Sequence, residues 1–242
     1  MTTLSTLTKL AATCAALLVA APCAAQDTTS GEAGMAMDRA MAGPVAEDLH
    51  MVMTPRRAPA PGDSARADSL VAEIRRTLGV YRDVRRAEAD GYRTFLPRVR
   101  QRIYHYTNRA NAMAARRGFD AARPTSLLYR PDEGGGFTLV GAMYTAPLRT
   151  PLEELNRRIP LGIARWHEHV NWCVPPLGGR RRWLETRDGA PVFGPGSPIA
   201  TREACDAVGG RFVPHRFGWM VHVQAFVGDD PAVIWATAGH DH

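Results

Sequence analysis

One short run of the chain, residues 166–173 (WHEHVNWC), concentrates side chains that can bind metal ions. In a β-strand successive side chains alternate between two faces, so His167 and His169 share one face while Glu168 and Trp172 lie on the other. Two imidazoles on the same face of a rigid strand can converge on one ion. The run therefore predicts two ligands of a transition-metal site.

Further ligands must come from other strands, and two more histidines lie in strand-like apolar surroundings. His222 belongs to the apolar segment 218–226, and His105 stands between two tyrosines. A histidine in such a place is either a hydrogen-bonded core residue or part of a desolvated site. We expect His167, His169 and His222 to be metal ligands, with His105 as a fourth ligand or as a neighbour that supports the ligands. The alternative is that all four are structural.

The methionines of the N-terminal part bear on which metal would bind. Imidazoles suit zinc and copper, whereas thioethers select copper in its reduced state. Methionines crowd the segment before residue 62, where they flank His50: Met35, Met37, Met41, Met51 and Met53. The sequence predicts copper before zinc, for metal handling or redox chemistry. The C-terminal His240 and His242 could also bind a metal, although chain termini usually fray.

Enzyme functions are less well supported by the sequence. Glu168 points away from its histidine neighbours, which makes a metallohydrolase with Glu168 as general base the third choice. No Gly-x-Ser-x-Gly, P-loop or dinucleotide-binding glycine pattern occurs, so we expect no nucleotide cofactor. Tyr104, Tyr106 and Tyr144 could line a pocket, but tyrosines on strands usually pack in the core. No catalytic residue is assigned.

The first 25 residues have the pattern of a cleavable signal peptide. One lysine, Lys9, precedes a small and apolar stretch of roughly twelve residues, well short of a membrane-spanning helix. Small residues then lead to Gln26, where we place the mature start. We expect a periplasmic or secreted protein without a transmembrane span. Lipid attachment at Cys23 is disfavoured, because Pro22 does not fit the cleavage site that it requires.

Signal cleavage would change the cysteine count from four to two. Cys14 and Cys23 would be removed, leaving Cys173 and Cys205. Two cysteines in an oxidising compartment predict one disulfide. The alternative makes Cys173 a metal ligand, because it follows the two histidines along the same strand.

The basic charge of the chain does not predict a nucleic-acid partner. The net charge is +6, and Lys9 is the only lysine in the sequence. Net charge of this size on an exported protein does not require DNA or RNA. The arginines 180–182 could contact an anionic envelope polymer or a lipid surface, or they could be a solvated turn after two glycines. They support a rival hypothesis, a non-catalytic envelope binding module with structural histidines.

The chain divides into a signal peptide (1–25), a flexible Met-, Pro- and Ala-rich arm (26–62) and one compact domain (63–242). The domain should be α+β, with N-terminal helices followed by a mainly antiparallel sheet with short helical insertions. A first helix is expected from Asp63 or Ser64, with a break near Gly79 and an end at Gly91. Predicted strands are 103–107, 126–129, 137–145, 163–172 and 219–227, and predicted short helices are 152–157 and 202–208.

Several segments between Tyr81 and Trp235 also resemble a group of uncharacterised exported bacterial proteins. The matching segments are 87–92 (AEADGY), 104–108 (YHYTN), 123–129 (RPTSLLY), 139–144 (LVGAMY) and 222–235, which ends in DPAVIW. The resemblance covers most of the compact part but carries no established activity. Some members are shorter between the segments that match Tyr144 and His222. This implies that His105 and His222 belong to the shared framework and that the His167 strand is an elaboration.

Overall fold

The computed structural model describes residues 47–97 and 100–236, which form a mixed α+β fold dominated by one sheet. Seven antiparallel strands have the order β1-β6-β9-β5-β4-β3-β2, and β7 and β8 form a separate hairpin. The predicted α+β class is therefore confirmed. The strands are β1 Met51–Met53, β2 Arg93–Thr94, β3 Tyr104–Thr107, β4 Ser126–Pro131, β5 Phe137–Ala146, β6 His167–Val174, β7 Thr186–Arg187, β8 Ala190–Pro191 and β9 Arg211–Val223.

Short helices connect these strands. They are α1 Glu47–His50, α2 Asp63–Leu78, α3 Val84–Ala89, α4 Arg109–Ala114, α5 Leu152–Arg158, α6 Arg202–Ala207 and α7 Pro231–Ile234, with 3₁₀ turns at Gly79–Arg82 and Arg180–Leu184. The predicted break at Gly79 is where α2 changes to a 3₁₀ turn. The predicted cap differs, because Gly62 is the N-cap, and the Asp63 carboxylate instead accepts a hydrogen bond from the Ala60 amide at 2.9 Å.

Two strands differ from their predicted bounds for local reasons. The strand expected from residue 163 begins at His167, because the amides of Ile163 and Ala164 both bond to the Pro160 carbonyl in a turn. The strand expected over 219–227 is the last part of β9, which begins at Arg211. Pro214 and Gly218 normally argue against a strand interior, so the sequence pattern concealed its first half.

The two faces of the sheet have different roles. On one face, strand tyrosines such as Tyr106, Tyr129 and Tyr144 pack with Ile74 and Leu78 of α2 in the main hydrophobic core. Alternation then turns the neighbouring side chains of β3, β5 and β9 to the opposite face. That opposite face carries a smaller apolar cluster and all four histidines predicted as metal-site residues.

The last part of the segment predicted as a flexible arm belongs to the fold. β1 pairs with β6 at the sheet edge, with Met51 opposite His169 and Met53 opposite His167. His50 is fully buried, and its ring nitrogens lie 3.2 Å and 2.6 Å from the carbonyl oxygens of Val170 and Ser197. The chain is thus attached to the sheet well before residue 62. Residues 1–46, which hold the predicted signal peptide and the earlier arm methionines, lie outside the described residues.

The predicted disulfide is present and joins β6 to α6. Cys173 and Cys205 are both fully buried, and their sulfurs are 2.02 Å apart. Gly210 packs directly on the bridge, since a Cβ there would lie 2.5 Å from one sulfur and 2.7 Å from the other. The alternative assignment of Cys173 as a metal ligand is wrong, because its sulfur is bonded to Cys205. Within the described ranges no helix has the length and apolarity to cross a membrane.

Candidate metal centre and cavity

Four histidines from three strands form one continuous group on the face of the sheet that is opposite the α2 core. His105 comes from β3, His167 and His169 from β6, and His222 from β9. The ring centroids are 5.4 Å apart for His105 and His222, 5.3 Å for His222 and His167, and 5.7 Å for His167 and His169. Strand alternation explains the grouping, because each histidine faces away from the α2 core. The structure therefore brings together all four residues predicted as metal-site residues.

The spacing of these rings bears on their use as ligands. With metal–nitrogen bonds of about 2.0–2.1 Å and tetrahedral angles, the centroids of two imidazole ligands are roughly 5 Å apart. The observed neighbouring distances of 5.3 to 5.7 Å are close to that separation. Within residues 47–97 and 100–236, however, no three His, Cys, Asp or Glu side chains already have the donor arrangement of a metal site. Binding would require the rings to turn about their side-chain bonds.

Methionines surround the histidines on the same face. Directly opposed residues of an antiparallel pair share a face of the sheet. By this rule His167 has a methionine on each side, Met53 from β1 and Met220 from β9. His222 lies opposite Met143, and His169 lies opposite Met51. The methionines of β1 that suggested copper are thus beside the β6 histidines, although His50 is turned into the protein.

The histidines form part of the lining of a cavity of about 820 Å³. Its other walls come from the loop after β2, from α4, from the segment after β5 and from the middle of β9. Among residues 47–97 and 100–236 no aspartate or glutamate lines it, whereas Arg109 and Arg116 do. Glu168, which the alternation placed on the other face, does not line the cavity. Its Oε2 instead lies 3.5 Å from Nδ1 of His215.

One prediction about this strand is wrong: Trp172 is on the histidine side. Asn171 has a left-handed backbone with φ +58°, which interrupts the alternation just before Trp172. The indole consequently lines the cavity, with its ring centroid 5.5 Å from that of His169. Asparagine tolerates this conformation better than most residues. The sequence alone gave no sign that the left-handed position would fall inside a strand.

A second irregularity shapes the facing part of β9. His169 pairs with Arg216 and His167 with Met220, so β9 has extra residues between these positions. At this bulge Phe217 has φ +70° and remains 49% exposed. The guanidinium of Arg216 lies 5.2 Å from the Phe217 ring centroid and 5.9 Å from that of Trp172. Burial, and then the nearby Arg211, lower the pKa of Arg216.

Comparison with protein-family models, curated proteins and solved structures gives no match. Tyr104, Tyr106 and Tyr144, which were considered as pocket residues, do not line the cavity, and Tyr106 and Tyr144 belong to the α2 core. His240 and His242 lie outside the described residues.

Sequence reasoning missed several cavity residues for an understandable reason. Arg109 and Arg116 are two exposed arginines in a chain rich in them, and nothing in their spacing marks them. The apolar strands around Met143 and Met220 predict that both are core residues. Strand order could have distinguished them, because each lies directly opposite a histidine of the neighbouring strand.

Proposed function

We propose that this protein binds one transition-metal ion, copper before zinc, through His105, His167, His169 and His222, for metal handling or redox chemistry. One observation carries the proposal: three different strands each contribute histidine to a single continuous group on the lining of one cavity. Imidazole nitrogens are common ligands of both metals.

The neighbouring thioethers support copper over zinc. Met53 and Met220 flank His167, and Met143 lies opposite His222. Thioether sulfur favours reduced copper, whereas the sulfur ligand that zinc uses in proteins is the cysteine thiolate. The cavity above the histidines supports a reactive or exchangeable site over a closed structural one, since closed sites are fully surrounded by protein ligands. A metallohydrolase is less well supported, because no carboxylate lines the described cavity to act as general base.

Export of the protein fits this proposal. The Cys173–Cys205 disulfide is of the kind that persists in oxidising compartments. Together with the signal-peptide pattern of residues 1–25, it supports a periplasmic or secreted location.

Metal content of the mature protein, purified without a histidine tag, tests the proposal. After loading with Cu⁺, Cu²⁺ or Zn²⁺ and exhaustive dialysis, we expect one ion per chain, with copper displacing zinc. The double variant His167→Ala/His169→Ala should lose the ion. The matched control is His215→Ala, because His215 is an exposed histidine that does not line the cavity.

The outcomes separate the parts of the proposal. Sub-stoichiometric metal in the loaded parent would contradict metal binding altogether. Full metal content in the double variant would show that the ligands are elsewhere, and zinc retained against copper would overturn the metal preference. Circular dichroism of each variant establishes that a loss of metal is not a loss of fold.

A second candidate function, peripheral binding to an anionic lipid surface, has one specific observation in its favour. Leu177 and Leu184 are 94% and 58% exposed beside the exposed Arg180 and Arg181. Arg182 is already engaged, with its guanidinium 2.7 Å from the Glu185 carboxylate. Sedimentation with phosphatidylglycerol vesicles should fall in Arg180→Gln/Arg181→Gln. Equal sedimentation of this variant and the parent would exclude the surface as the binding site.

A further inference from the structure

The cavity beside the histidines has the size and lining of a small-molecule site. Its volume of about 820 Å³ lies in the range of roughly 300–1,000 Å³ that is typical of such sites. Apolar and aromatic side chains provide much of the wall, among them Phe95, Leu96, Leu148, Trp172 and Phe217. Two of the polar lining groups satisfy each other, because the hydroxyls of Thr125 and Thr145 are 2.7 Å apart. The wall therefore suits a ligand with an apolar body.

The charge of the lining indicates the sign of the ligand. Arg109 and Arg116 both line the cavity from the α4 side, and no acidic side chain in the described part of the chain does. Both arginines are exposed, and within the described ranges neither has an ion-pair partner. A group of one sign without a counter-charge attracts ligands of the opposite sign. A metal ion on neutral imidazoles would add positive charge that no carboxylate of the described lining balances.

Two of the four non-glycine residues with positive φ in the described part of the chain line the cavity. Leu96 and Phe217 have φ +53° and +70°, which is unfavourable for bulky side chains. Such conformations persist where the surrounding structure holds them, and they cluster at functional sites. At Phe217 the strain holds a half-exposed ring 6.2 Å from the rings of Trp172 and His169. This arrangement provides an aromatic surface for stacking next to the histidines.

We infer that the cavity binds a small organic carboxylate with an aromatic body. The body packs on Trp172 and Phe217, and Arg109 and Arg116 provide the positive charge for the carboxylate. The inference names the class of ligand that binds beside the proposed metal site. It rests on the proposed metal function only for a reaction of the bound carboxylate at the metal. Binding itself needs no metal, so it is tested on metal-free protein.

Isothermal titration with 2-naphthoate and its uncharged analogue 2-naphthamide tests the inference. We expect one naphthoate per chain, bound several-fold more tightly than the amide at low salt. Arg109→Gln/Arg116→Gln should weaken naphthoate roughly three- to tenfold, as expected for exposed charge pairs, and leave the amide unchanged. Arg76→Gln/Arg130→Gln removes the same charge from exposed positions outside the cavity, and it should bind naphthoate like the parent.

The following four outcomes would overturn the inference. Absence of naphthoate binding would exclude the ligand class, and equal affinity for the amide would exclude the role of charge. An equal loss in the two arginine variants would show non-specific attraction. Phe217→Ala should weaken both compounds, and unchanged binding would exclude the aromatic surface. Naphthoate binding without metal uptake would contradict only the proposed metal function, and the reverse result would contradict only this inference.

Discussion

Removal of the Cys173–Cys205 bridge should cost a large part of the stability of the domain. The cysteines are 32 residues apart in sequence. Closing a loop of that length lowers the entropy of the unfolded chain by an amount worth about 3.7 kcal/mol at 25 °C. Because domains of this kind are stable by roughly 5–15 kcal/mol, the loss should be easily measured.

Guanidinium unfolding with and without a phosphine reductant provides the assay. The free energy of unfolding of the parent should fall by about 3.7 kcal/mol in reductant. The variant Cys173→Ala/Cys205→Ala should have the lower free energy of unfolding without reductant as well, and reductant should not change it. Two results would refute the chain-entropy reasoning: a loss below about 1 kcal/mol when the parent is reduced, or an equal loss on adding reductant to the parent and to the double cysteine variant.

Gly210 supplies an internal check on the same region. Gly210→Ala places a Cβ 2.5 Å from the Cys173 sulfur and 2.7 Å from the Cys205 sulfur, so we expect a loss of roughly 1–3 kcal/mol from overpacking. In the Cys173→Ala/Cys205→Ala background both sulfurs are absent, and the cost should fall by more than half. Gly134→Ala, where nothing lies within 4 Å, is the control. Additive costs would contradict the packing argument.

Three further predictions concern the strained strand, the buried histidine and the core tyrosines. At Phe217, φ +70° should make Phe217→Gly more stable than Phe217→Ala by about 1 kcal/mol, the reverse of the usual order in strands; chemical denaturation decides between them. His50→Phe removes the imidazole N–H donor that lies beside the buried Val170 and Ser197 carbonyls. It should cost about 1–3 kcal/mol, with faster amide exchange in β1, whereas His215→Phe should do neither. Burial raises the pKa of Tyr92 and Tyr129 well above the usual value. Because these pKa values are higher in the folded state, their stabilising effect is complete below about pH 10 and is lost as the pH rises further. Absorbance at 295 nm should show both phenols ionising only as the protein unfolds, and ionisation before unfolding would contradict the assigned burial.

The functional candidates depended on how far alternation could be extended along each strand. His167 and His169 were predictable as neighbours on one face, because two-residue periodicity holds over so short a distance. Trp172 was not, since the left-handed Asn171 between them reverses the faces. Phe217 was missed because its bulge lies in the half of β9 that the pattern did not identify as a strand.

The sequence by itself determined the α+β class, the disulfide pair and the histidines worth testing. These features follow from local periodicity, from a cysteine count and from residue chemistry. Only the tertiary structure decided that β3, β9 and β6 turn their histidines to the same face, that Met53, Met220 and Met143 lie beside them, and that two arginines line the cavity. Such neighbours are set by strand order and register, which join positions far apart in sequence, and no local pattern encodes them.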